Sequence, residues 1–167
     1  MELALSLGSN LGDRLAHLRM ARNGIARLDG VRVVAQAPVY ETTPVGVKPE
    51  YAHLNYLNTV LMVVTERPVE DLHRELTRIE DAAGRVRGED RFAPRTLDID
   101  ILFAGAIRSD TPQLSIPHPR WAQRRFVVQP LCDVRPDFVV PGADQPVRVI
   151  LAGLPPGEGL TLFSRDW

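Results

Sequence analysis

RTLDIDILF, residues 95–103, decides the fold, because its alternation is that of a β-strand with one apolar and one acidic face. Successive strand side chains point to opposite sides, so Leu97, Ile99 and Ile101 share one face while Asp98 and Asp100 are neighbours on the other. Two carboxylates at that spacing repel, and if partly buried each needs a proton, a cationic partner or a metal ion. Mg²⁺ suits such a pair: it takes one or two carboxylates, keeps several waters and completes its shell with substrate phosphates. Alone the D-x-D pattern is weak, since chance supplies roughly one in a chain of this composition. Its surroundings have to carry the reading.

Upstream of that strand, Pro68 suits the first turn of a helix in which Val69, Leu72, Leu76, Ile79 and Ala83 recur at helical spacing before Gly84 closes it. LNYLNTVLMVV, residues 54–64, is a nearly continuous apolar run and reads as a central strand. VRVVAQAPVYET, residues 31–42, alternates as another strand, with Pro38 marking an edge or a bulge, and residues 43–53 form a loop. Residues 2–7 make the first strand. Asn10, with Asp13 three residues on, starts a helix whose Leu11, Leu15, Leu18, Ile25 and Leu28 keep helical spacing up to Gly30.

The order β-α-β-β-α-β predicts an α+β, ferredoxin-like core, an antiparallel sheet with helices packed on one face. A hairpin around Gly105, a Pro-rich turn at 116–119 and short helices near 120–132 and 146–153 follow as additions to that core. With no repeat or linker, residues 1–167 read as a single domain.

Composition limits the function classes. A chain of 167 residues, 44% hydrophobic and 25% charged, is long enough for one core. Its net charge of −1 argues against a general nucleic-acid binder, so any anion site is local. The single cysteine, Cys132, excludes an internal disulfide and a multi-cysteine zinc site. No signal-peptide pattern or membrane-length apolar run occurs, so a soluble cytoplasmic protein with no membrane partner is expected.

The charges converge beside the acidic strand. GRVRGEDRFAPR, residues 84–95, brings Arg85, Arg87, Arg91 and Arg95 to the strand's edge. Guanidinium forks match phosphate oxygens, and polyphosphate needs neutralisation from several sides. The alternative is a solvated loop whose arginines pair with Glu89 and Asp90. IPHPRWAQRRF, residues 116–126, adds His118, Arg120, Arg124, Arg125 and Phe126, the histidine serving either a phosphate or a turn. Tyr56 and Asn58 are two apart on a strand and share a face; together they could stack on and hydrogen-bond a flat heterocycle, or Tyr56 could be ordinary sheet packing. Neither a P-loop nor a Rossmann glycine pattern is present.

LSLGSNLGDR, YETTPVG, YLNTV, RIEDAAGRVR, PRTLDIDILF, IPHPR and RRFVVQPL occur in this order along nearly the whole chain. In this the chain resembles the 6-hydroxymethyl-7,8-dihydropterin pyrophosphokinase family of folate biosynthesis. The resemblance implies transfer of pyrophosphate from ATP to 6-hydroxymethyl-7,8-dihydropterin, releasing AMP, with two Mg²⁺ ions as cofactors. By that resemblance Asp98 and Asp100 hold the metals, and Arg85, Arg87 and Arg95 act with them in catalysis. Tyr56 and Phe126 would sandwich the pterin, with Asn58, Asp98 and the stretch Thr42, Thr43, Pro44 and Val45 reading its polar edge. Glu80, Arg87, Arg95, Ile101, Ser115, His118 and Arg124 fall where the family contacts ATP. A stand-alone monomer is expected.

The chain departs from the family's common pattern at Phe92, where many members have Trp, at Ala93, a frequent Gly, and at Gln113 and Pro119. Two rivals remain at this stage. A non-enzymatic ligand- or RNA-binding domain of the same fold would give no product, and another Mg²⁺-dependent phosphotransferase or phosphohydrolase would give ADP or phosphate in place of AMP.

Overall fold

A computed structural model describes residues 1–156 and 159–167. Its elements are β1 (Glu2–Ser9), α1 (Arg14–Ala26), β2 (Val31–Gln36), β3 (Val39–Thr42), β4 (Tyr56–Thr65), α2 (Val69–Ala82), β5 (Asp98–Ala104), β6 (Ser109–Asp110), β7 (Ser115–Ile116), α3 (Arg125–Val134), α4 (Val147–Gly153) and β8 (Leu160–Ser164). The main sheet runs β5-β1-β4-β3-β8, with β2 also paired to β4, and every pairing is antiparallel. This is the ferredoxin-like arrangement that the element order predicts.

Alternation builds a different core on each side of the sheet. Leu3, Leu5 and Leu7 of β1, Leu61 of β4 and Ile99 and Ile101 of β5 meet Leu18 and Ile25 of α1 and Leu72 and Leu76 of α2. Ala4, Val60, Met62, Leu102 and Phe103 face the other way and are covered by Val127, Val128 and Leu131 of α3 and Val147 of α4. Leu102 and Phe103 both reach this second core because the β1–β5 register shifts at Ala4 and Leu5, a bulge that turns two consecutive side chains to one side. Helices therefore cover both faces, not one. The segment expected as an addition supplies a core layer, because the sheet's second face carries apolar residues that need cover.

Four further expectations are corrected. The strand read over 31–42 is two strands broken at Ala37–Pro38: Pro38 has no N–H for the ladder, and Thr59 Oγ1 donates to the carbonyls of Ala37 and Pro38 at 3.0 Å each. The first helix is capped by Asp13, which accepts from the Ala16 N–H at 3.0 Å, and not by Asn10, whose side chain is engaged elsewhere. Gly105 only turns the chain out of β5; the hairpin is β6–β7, pairing Ser109 with Ile116. The helix expected from residue 120 begins as a 3₁₀ turn, Trp121–Gln123, before α3, and β8 was not anticipated at all.

Candidate active site

The sheet face under α3 is apolar over only part of its extent. Towards the ends of β1, β4 and β5 it becomes Ser6, Gly8, Tyr56, Asn58, Asp98 and Asp100, which α3 has no apolar reason to cover, and a cavity of about 450 Å³ opens there. Register fixes these neighbours. Gly8 of β1 lies opposite Asn58 on one side and Asp98 on the other, and Ser6 lies between Val60 and Asp100. Gly8 has to be small: a Cβ there would stand 2.9 Å from Asn58 Oδ1. Three segments wall the cavity: Thr42–Val47 leaving β3, the arginine loop with Arg91, Phe92 and Arg95, and the start of α3 with Arg120, Arg124, Phe126 and Val127.

One side of the cavity suits a flat heterocycle. The Asn58 side-chain amide donates to Thr42 Oγ1 at 2.7 Å, which orients it and leaves its carbonyl oxygen for a partner. Tyr56 lies on the same face of β4, and Phe126 lines the cavity from the start of α3 with the Arg124 guanidinium 5.7 Å from its ring. Burial raises the Tyr56 hydroxyl above its ordinary pKa, so it stays protonated at neutral pH.

The other side is ionic. Glu80 is buried and accepts from Arg85 at 2.6 Å, from Arg87 at 2.5 Å and from the Ile99 N–H at 2.7 Å. Burial nevertheless raises its carboxyl above the ordinary value, against the pull of the Ile99 N–H and the two arginines. Arg85 also bonds Asp98, and Arg95 reaches the second Asp98 oxygen at 3.2 Å. Arg87 additionally pairs with Asp81. Asp98 is thus held between two guanidinium groups.

Asp100 has no hydrogen-bond or ion-pair partner among the described residues, and burial together with the charge of Asp98 pushes it up to about 7. A carboxylate that is partly buried, without a partner among the described residues and beside a second carboxylate is the kind of group that a hard cation relieves. The two-carboxylate, water-accessible donor set therefore fits Mg²⁺. No cluster of three or more His, Cys, Asp or Glu occurs among the described residues.

Of the residues singled out in the sequence, Thr42, Thr43, Pro44, Val45, Tyr56, Asn58, Arg95, Asp98, Asp100, Arg124 and Phe126 line this one cavity. Arg85 and Glu80 stand behind it, and Arg87 lies along the exposed side of Glu80. Ile101 points into the core under α1 and α2, so only its backbone lies on the strand of the site. His118 donates its N–H to Leu102 O at 2.8 Å and accepts the Arg120 N–H at Nδ1; burial, with Arg124 and Arg120 nearby, lowers it to about 4. Ser115 belongs to the β6–β7 hairpin, next to a second cavity between that hairpin and α2 lined by His73, Arg74, Arg78 and Gln113. Arg91 and Arg120, from the two arginine clusters, line the cavity as well, and so does Phe92; Ser6 and Gly8 are the additions, because placing them needs the strand register, which alternation alone does not supply.

A sequence model of the 7,8-dihydro-6-hydroxymethylpterin-pyrophosphokinase (HPPK) family matches residues 4–136. The chain belongs to this family. It is 40% identical over 153 residues to the 2-amino-4-hydroxy-6-hydroxymethyldihydropteridine pyrophosphokinase of Methylorubrum extorquens, covering 91% of this chain and 92% of that protein. It is 33% identical over 160 residues to the folic acid synthesis protein fol1 of Schizosaccharomyces pombe, covering 96% of this chain but only 21% of that longer protein. Among solved structures, a wild-type Plasmodium falciparum HPPK-DHPS with pterin and p-hydroxybenzoate superimposes with a TM-score of 0.64 at 15% identity, over 90% of this chain and 42% of that one. That likeness speaks for the HPPK fold. No helix among the described residues is long and apolar enough to cross a membrane.

Proposed function

We propose that the cavity on the Asp98–Asp100 face is where this HPPK-family chain transfers pyrophosphate from ATP to 6-hydroxymethyl-7,8-dihydropterin in folate biosynthesis, giving the pterin diphosphate and AMP. The observation that carries the reading is the pairing, in one cavity, of an aromatic and amide wall with a floor of two carboxylates rimmed by arginines. The pterin lies between Tyr56 and Phe126, its amide edge read by Asn58, Thr42 and the backbone of the 43–45 stretch. Its hydroxymethyl group then points towards Asp98.

Asp98 and Asp100 would hold two Mg²⁺ ions, which when bound would neutralise phosphate charge and lower the pKa of the attacking hydroxyl. Arg95 and Arg124 present guanidinium groups to the phosphates, and Arg87 leaves Glu80 to join them. Arg85 keeps Asp98 ionised and oriented. The hydroxymethyl oxygen attacks the β-phosphorus in line; the bond from that phosphorus to the α,β-bridging oxygen breaks, its electron pair leaves with AMP, and the hydroxyl proton passes to solvent. No side chain is assigned as general base. The nucleoside end of ATP extends past Glu80, Ile101 and His118 towards Ser115. Residues 1–167 act as one pyrophosphokinase domain, as a monomer in the cytoplasm.

The test follows AMP from ATP with and without the pterin and Mg²⁺, for the wild type and for Asp100→Asn. AMP that needs both additions, and falls by about 10²-fold or more in Asp100→Asn, supports the reading. ADP, free phosphate or no product from the folded wild type would overturn it.

A further inference from the structure

The family match stops at residue 136, yet β8 lies beyond it and forms the outer neighbour of β3, the strand from which the Thr42–Val47 wall departs. β8 pairs Leu160 with Thr42 and Leu162 with Tyr40. Just before β8, the Gly159 carbonyl accepts the Thr43 N–H at 3.0 Å, at the first residue of the wall after the strand ends. The contact is close. Gly159 has φ +68, and a Cβ there would stand 2.3 Å from Thr43 Oγ1 and 2.6 Å from its Cγ2. Only glycine meets both demands, a left-handed backbone and a side chain resting against its Cα.

At the other end of the segment Trp167 is buried and donates its indole N–H to Ala37 O at 2.8 Å, in the break between β2 and β3. The Gln36 amide donates to Trp167 O at 3.4 Å, and Arg22 of α1 stands 5.2 Å from the indole ring. β3 is only four residues long and is cut off from β2 at Pro38, so β4 holds it through few pairings. β8 and Trp167 secure its outer edge and its beginning.

We infer that Gly159 and Trp167 are positioning residues for the pterin, holding β3 and the Thr43 backbone where the wall meets the substrate. The inference rests on the proposed pterin site, and it states which part of the chain sets pterin affinity: a segment outside the family's core match that touches no substrate. It predicts an effect confined to one substrate. ATP is met by the arginine loop, by α2 and by the start of α3, none of which β8 touches through the contacts above.

The experiment measures KM for pterin and for ATP, kcat, and amide hydrogen exchange over residues 42–47, in the full-length wild type and in Gly159→Val, Trp167→Ala and Trp167→Phe. Gly159→Val and Trp167→Ala should raise the pterin KM about tenfold, equivalent to about 1.4 kcal/mol, with kcat and the ATP KM within about twofold. Exchange over 42–47 should quicken in both. Trp167→Phe keeps the ring but loses the indole N–H, and should fall between the wild type and Trp167→Ala; it also serves should Gly159→Val not fold. Equal losses for both substrates, or an unchanged pterin KM with unchanged exchange, would overturn the inference. If the wild type forms no AMP, the functional reading fails by itself, while exchange over 42–47 still decides whether the segment holds the wall.

Discussion

Glu80 is the residue on which the ionic side of the site turns, and its removal has a calculable consequence. Its carboxylate accepts three hydrogen bonds, from Arg85, Arg87 and the Ile99 N–H, with only 8% of its side chain exposed. Glu80→Ala leaves the Ile99 N–H without an acceptor, at a cost of about 1–3 kcal/mol. It also leaves Arg85, itself 16% exposed, with Asp98 as its one remaining carboxylate. Breaking a buried pair by removing one partner costs about 3–5 kcal/mol. The two costs overlap, because both describe the same hole, and together they give a loss of about 4 kcal/mol. Glu80→Gln keeps the volume and an acceptor for Ile99, and it relieves the burial of charge that raises the Glu80 pKa. Its expected loss is about 1–2 kcal/mol. Urea unfolding at pH 7 measures both, through a shift of midpoint at constant slope. Glu80→Ala within 1 kcal/mol of the wild type, on the scale of an exposed pair, or Glu80→Gln as costly as Glu80→Ala, would refute the claim that this carboxylate organises the arginines.

Gly8→Ala should place a methyl against Asn58 Oδ1, disturb the Asn58–Thr42 bond and raise the pterin KM about tenfold, with a change in stability below about 1.5 kcal/mol, as steady-state kinetics and urea unfolding will show. Asn10→Ala removes the acceptor for the Arg95 N–H at 2.8 Å, so the arginine loop should exchange its amides faster and the protein lose about 1–3 kcal/mol. For His118 the folded-state value of about 4 lies below the ordinary 6.5, so between those values the unfolded chain binds the extra proton. Stability should therefore rise with pH across that window and be lost on acidification through it, by at most about 3 kcal/mol, and thermal unfolding of His118→Gln should show a flatter profile between pH 4 and 6.5.

The elements legible in the sequence are those whose period matches one buried face. The α2 helix, with Val69, Leu72 and Leu76 buried, and β5, with Ile99 and Ile101 inward and the aspartates outward, follow from spacing alone. What spacing does not carry is register. Ser6 and Gly8 look like ordinary strand residues until pairing puts them beside Asp100 and Asp98. Asn10 sits where a helix cap is expected, three residues before Asp13, and its tie to Arg95 spans 85 positions that no local pattern encodes. β8 was missed because Leu160–Ser164 is short and largely exposed, so it lacks the apolar alternation of a half-buried strand. Long-range partners, not propensity, place it.

The ionic side also explains how one set of arginines can be ordered without substrate and yet available to it. Arg85 is nearly enclosed and bridges Glu80 and Asp98, so exchanging them for phosphate would take from both carboxylates their most enclosed cation. It stays. Arg87 is 44% exposed; its pair with the exposed Asp81 is of a kind worth about 0–1 kcal/mol, and its remaining tie is to the buried Glu80. On the proposed function, a triphosphate offers Arg87 more charge than the pairing it gives up. On the proposed function, Glu80 keeps Arg85 and the Ile99 N–H when Arg87 turns to phosphate, so the contacts beneath Asp98 are retained. The division between a fixed and an exchangeable guanidinium thus follows from burial, and on the proposed function it lets Arg87 turn to phosphate while the carboxylates keep their places.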